Sequence, residues 1–94
     1  MVKHIVCFKL LDRAVAAEAK GVLLSMQGNV PMIREIEVGV DELGSARSYD
    51  VFLSVLLDDF AALEEYQKDE YHCGVVKEYM HAHTQNSVAL DFEM

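Results

Sequence analysis

The first thing missing from this sequence is a positive surface. Its eight lysines and arginines are scattered among sixteen aspartates and glutamates, giving a formal net charge of −8. Binding to phosphate backbones needs clustered cations, so nucleic acid is not expected as a partner, and anionic lipid is disfavoured on the same ground. No apolar run approaches the roughly 20 residues that cross a bilayer, so no membrane span is expected. Lys3, His4 and Lys9 interrupt any apolar leader segment, and no small-residue cleavage site follows, which predicts a cytoplasmic protein. The two cysteines, Cys7 and Cys73, form no CxxC pair and read as small core residues in a reducing compartment. There is no glycine-rich phosphate loop, no nucleophile elbow and no zinc motif, and neither a metal nor a cofactor is expected. Repeats, linkers and low-complexity stretches are absent too. Ninety-four residues then predict one domain over 1–94, small enough that oligomerisation would add stability.

What is present is alternation. Val2 to Leu11 reads VKHIVCFKLL, with Val2, His4, Val6, Phe8 and Leu10 on one face and Lys3, Ile5, Cys7, Lys9 and Leu11 on the other. Period two with β-branched and aromatic residues predicts a strand. Asp12 is placed to cap a helix starting near Arg13, whose apolar face is Val15, Ala19, Val22, Leu23 and Met26. Gly28 is placed to end it in a left-handed conformation, and Pro31 prevents its continuation. Met32 to Asp41 alternates again, as do Tyr49 to Leu57, predicting a second and a third strand joined by a polar loop. Asp58 or Asp59 caps a second helix through Phe60, Leu63 and Tyr66 or Gln67, interrupted at Lys68-Asp69-Glu70 and resumed through His72, Val75, Val76, Tyr79 and Met80. Ser87 to Phe92 closes the chain as a short fourth strand.

The order β-α-β-β-α-β predicts an α+β fold of the ferredoxin-like type, a four-stranded antiparallel sheet with its helices on one side and the first strand central. The face expected to meet the helices carries Val6, Phe8, Val38, Leu53, Val55, Leu90 and Phe92. The opposite face carries Ile5, Cys7, Phe52, Leu56 and Ala89 among lysines and glutamates. Bare sheet faces rarely carry Ile, Phe and Leu together, so this one is expected to pack on a second copy, two sheets forming a dimeric β-barrel. A monomer with an amphipathic outer face is the alternative.

Several motifs then align with one family. VKHIVCFKL, IREIEVGVD, RSYDVFLSVLLDDFAALEEYQ and the following His72 resemble the stress-responsive α/β-barrel, or Dabb, domain over essentially the whole chain. The resemblance implies a dimeric α+β barrel and a function far less uniform than the fold. A plant relative is a cofactor-independent polyketide cyclase catalysing an intramolecular aldol condensation. By motif, its substrate-facing residues correspond to His4, Tyr66 and His72 here. Relatives commonly place His-Pro ahead of the last histidine, whereas this chain has Asp69-Glu70-Tyr71. Metal-bound relatives exist as well, but no convergent carboxylate set is present in this sequence.

Weighed as residues, His4 on a core face is either a satisfied buried histidine, with Tyr66 as partner, or an acid–base group, since imidazole titrates near pH ~6.5. If His4, Tyr66 and His72 converge, they face an apolar wall expected from Phe8, Leu53, Phe60 and Val76. Such a pocket suits proton abstraction beside a carbonyl, with His72 as general base, Tyr66 as donor and His4 assisting. It equally suits simple binding of a small apolar or aromatic molecule, or a closed hydrogen-bonded core network. His81 and His83, two apart on a helix, point apart and read as surface residues rather than metal ligands.

Overall fold

The computed structural model describes residues 1–94 in full. Strand β1 spans Val2–Leu10, followed by a 3-10 turn at Arg13–Val15 and helix α1 at Ala16–Leu24. Strands β2 (Glu35–Val40) and β3 (Val51–Leu57) come next. Then come helix α2 (Phe60–Lys68), a π-helical segment (His72–Lys77), helix α3 (Glu78–His83) and strand β4 (Thr84–Glu93). The sheet is antiparallel in the order β2-β3-β1-β4, with β1 central as the crossovers require.

The local chemistry explains where elements start and stop. Asp12 accepts the Ala14 N–H at 2.9 Å and starts the 3-10 turn. Helix α1 ends at Leu24, earlier than the glycine signal suggests. The Ser25 hydroxyl donates to the Val22 carbonyl at 2.5 Å and the Asn29 side chain to the Ser25 carbonyl at 2.8 Å, drawing backbone acceptors out of the helical ladder. A run of turns then reaches Gly28, which takes the positive φ of 86° that glycine tolerates. Asp59 caps α2 through the Ala62 N–H at 2.8 Å. Asp69 breaks the helix and restarts it, accepting the Tyr71 and His72 N–H groups at 2.9 and 3.0 Å.

The core lies between the helices and the inner sheet face, with Leu23, Met26, Val55, Leu57 and Tyr66 fully enclosed. One polar knot is built into it. Asp50, only 1% exposed, accepts the Leu10 N–H at 2.8 Å and Arg13 Nη1 at 3.3 Å, with Lys9 Nζ 3.7 Å away. Arg13 also donates to the Asp41 carbonyl at 2.8 Å, tying the 3-10 turn to the end of β2.

The fourth strand corrects one expectation. Leu90 pairs opposite Ile5, Phe92 opposite Lys3 and Val88 opposite Cys7. Directly paired residues share a face, so all three point away from the helices, and Ala89 and Asp91 point toward them. Leu90 and Phe92 are therefore outer-face residues and Ala89 an inner one, the reverse of the assignment from hydrophobicity. Val88, Leu90 and Phe92 are 51%, 61% and 38% exposed, beside the half-buried Ile5, Cys7, Phe52 and Leu56. The outer face is thus more apolar than the alternation alone indicated.

Candidate functional site

A cavity of about 440 Å³ opens between the inner sheet face and the α2–α3 layer. Strand β1 contributes His4, Val6 and Phe8; β3 contributes Leu53; α2 contributes Tyr66. His72, Val76 and Lys77 reach it from the π-helical segment, and Met80 and His81 from α3. The π turn is what makes this possible. In an α-helix, residues five apart lie about 140° apart around the axis. The i→i+5 pattern of a π-helix brings them back toward one side, so His72 and Lys77 open on the same space.

His4, Tyr66 and His72 come together here. The Tyr66 ring is flanked by both imidazoles, 5.6 Å from His4 in an edge-on arrangement and 4.4 Å from His72 in a tilted stack. Its hydroxyl does not bond His4; it donates to Met26 Sδ at 3.7 Å, a weak acceptor. Burial, and then the charge of Asp69, pushes the Tyr66 phenol well above its ordinary range, so it stays a protonated donor.

His4 is 8% exposed, and its Nδ1 is hydrogen-bonded to Asp91 Oδ1. Asp91 is the residue directly across from His4 in the β1–β4 ladder, so strand register itself makes the pair. A carboxylate on Nδ1 holds the proton there and leaves Nε2 as the lone-pair nitrogen. His72 has no comparable support. Its Nδ1 is buried without a hydrogen-bond partner. Burial chiefly, with the nearby charges of Lys77 and His4 adding, lowers its pKa against a smaller opposing effect of Asp69. Of the two imidazoles, His4 is therefore the one whose ring is oriented by a carboxylate partner, and His72 is the one left without a partner at Nδ1.

Phe8, Leu53 and Val76 line the cavity. Phe60 does not: as the first residue of α2 it is 51% exposed and lies outside the cavity. Its place in the apolar spacing of the helix is real, but burial on that face begins only at Leu63 and Tyr66. Asp91 went unnoticed in the sequence because finding it needs the β4 register. Lys77 went unnoticed because a π turn breaks the 3.6-residue spacing. His81 reaches the cavity rim while His83 stacks on Tyr79 at 4.3 Å, so the two histidines diverge. No three His, Cys, Asp or Glu side chains are grouped as metal ligands would be. No helix is long and apolar enough to cross a membrane.

Comparison with known proteins gives a family and a fold. The model of the stress responsive A/B barrel domain, Dabb, matches residues 2–94. No curated protein matches the sequence. Among solved structures, a dimeric protein of unknown function with a ferredoxin-like fold from Bacteroides fragilis is 23% identical. It covers 99% of this chain and 95% of its own, with a TM-score of 0.85. A dimeric ferredoxin-like protein of unknown function from Thermobifida fusca is 19% identical over 99% and 90%, with a TM-score of 0.83. The hydroxynitrile lyase from Passiflora edulis is 19% identical over 99% and 92%, with a TM-score of 0.80. At such identities the likeness is one of fold, and that fold carries both enzymes and proteins of unknown function.

Proposed function

The chain belongs to the stress responsive A/B barrel domain family, and from that premise we propose a small homodimeric domain that holds a small apolar or aromatic molecule between sheet and helices. The observation that carries this reading is the cavity of about 440 Å³ with an apolar wall and polar groups whose hydrogen-bonding capacity is unused. Folded cores pair nearly all their buried polar atoms, and His72 Nδ1 has no partner. A ligand oxygen reaching it, or displacing the weak Met26 acceptor from the Tyr66 hydroxyl, would supply the missing bond.

Pairing is proposed through the open sheet face, with Ile5, Cys7, Phe52 and Leu56 joined by Val88, Leu90 and Phe92. Contiguous exposed apolar surface on a long edge strand supports it, as does the dimeric state of the Bacteroides and Thermobifida proteins. Leu90→Glu should convert a dimer to a monomer in sedimentation; an unchanged mass would place the interface elsewhere. The free thiols of Cys7 and Cys73 suit a reducing compartment such as the cytoplasm.

The first reading is tested by NMR of the imidazole signals against a panel of small phenols and ketones. Joint movement of the His4 and His72 signals with one ligand class supports a shared pocket. Failure of every class to move them refutes it.

The His4–Asp91 pair favours a second reading, cofactor-independent proton transfer beside a carbonyl. There His4 Nε2 takes a proton from the carbon next to the carbonyl, and Tyr66 donates to the enolate oxygen. Exchange of the α-protons of 4-phenylbutan-2-one in D2O needs no knowledge of the natural substrate. Acceleration by the protein that disappears in His4→Ala supports catalysis. No acceleration restricts the pocket to binding.

A further inference from the structure

We propose that the ligand of this pocket carries a carboxylate, met at the cavity mouth by Lys77 and His81, with its aryl or alkyl body against the apolar wall. The proposal rests on the pocket reading above and adds the chemical class of the ligand. Sixteen aspartates and glutamates are distributed over the chain, yet none lines the cavity. Its ionisable lining consists of Lys77, Tyr66 and three histidines, His4, His72 and His81. In a protein of net charge −8 this is a local reversal of sign.

The two carboxylates that act on the cavity histidines are already engaged. Asp91 is bound to His4, and Asp69 accepts two backbone N–H groups at the helix restart. Lys77 makes no ion pair, unlike Lys9, Arg13, Arg34 and Lys68. Its charge nonetheless acts inside the cavity, where it is one of the influences lowering the pKa of His72. The backbone sets the position: the π turn swings Lys77 to the side of His72, and His81 follows four residues later, where helical side chains are neighbours. An ammonium on a flexible stem, beside an imidazole, at the mouth of an apolar cavity suits a monoanion better than a neutral ligand.

The test uses the full chain with two probes of equal shape, 4-phenylbutyrate and 4-phenylbutyramide, followed by calorimetry and by the imidazole signals. The acid should bind about fivefold more tightly than the amide, the size of one solvent-accessible ion pair. Lys77→Met keeps the stem and removes the charge; it should erase that preference, and Lys77→Arg should restore it. Lys77 is exposed, so neither variant threatens folding. Equal affinity for acid and amide, with both moving the His4 and His72 signals, overturns the carboxylate inference and leaves the pocket standing. A preference that survives Lys77→Met overturns the role of Lys77. Failure of both probes to bind overturns the pocket reading and this inference with it.

Discussion

Two polar clusters sit in this small protein, and they are built on opposite terms. At Asp50 every buried oxygen is engaged: Leu10 N–H on one, Arg13 and Lys9 on the other. At the cavity, His72 Nδ1 has no partner, the Tyr66 hydroxyl rests on a thioether, and only His4 has a strong one. A saturated buried charge fixes a chain geometry and has nothing left for a ligand. An unsaturated one lowers stability and keeps capacity free for something that arrives. The Asp50 cluster is the structural device, and the His4–Tyr66–His72 cluster is the proposed site.

If that contrast is right, the largest loss of stability comes from the saturated cluster. Asp50→Ala strands the buried Leu10 N–H and leaves Arg13 with Asp41 alone, and should lower the unfolding free energy by about 2 kcal/mol in denaturant titration. Ligand affinity of the remaining folded protein should not change. Asp91→Asn comes next. It should lower stability by only about 1 kcal/mol, since Asp91 lies on the edge strand and is partly exposed, while slowing ketone α-exchange about a hundredfold. A large stability loss with undiminished exchange would make that pair structural as well.

His72→Phe should be neutral or stabilising by up to about 1 kcal/mol, because it removes an unpaired buried nitrogen, while weakening ligand binding. The smallest effect is in pH. Folding lowers the His72 pKa, so the unfolded chain binds more protons in the acid range. Stability should therefore fall as pH drops from about 6.5 through the lowered folded value, and this slope should flatten in His72→Phe.

Much of the fold was legible because alternation and capping are local. The strand order, the cap at Asp12, the break at Asp69 and the central place of β1 all follow from residues within one element or its neighbours. The sense of β4 was not legible. Both faces of the sheet carry apolar residues, so hydrophobicity does not distinguish them, and a one-residue difference exchanges every side chain between faces. The register that turns Leu90 outward is the one that turns Asp91 onto His4. The partner of His4 therefore lay in a long-range pairing 87 positions away. Phe60 was misread for a related reason: helical spacing gives a face, not how far that face extends over the sheet. Lys77 needed the π turn, whose five-residue repeat leaves no mark in a search at 3.6.

In the proposed site Asp91 holds the proton on His4 Nδ1 and leaves Nε2 for the pocket. Nitrogen NMR of the imidazole, at a pH where the ring is neutral, reads this directly. The expected result is the Nδ1–H tautomer for His4, lost in Asp91→Asn, and an Nε2 signal that moves when 4-phenylbutyrate binds. An Nε2–H tautomer, or an Nε2 signal unmoved by bound ligand, would contradict it.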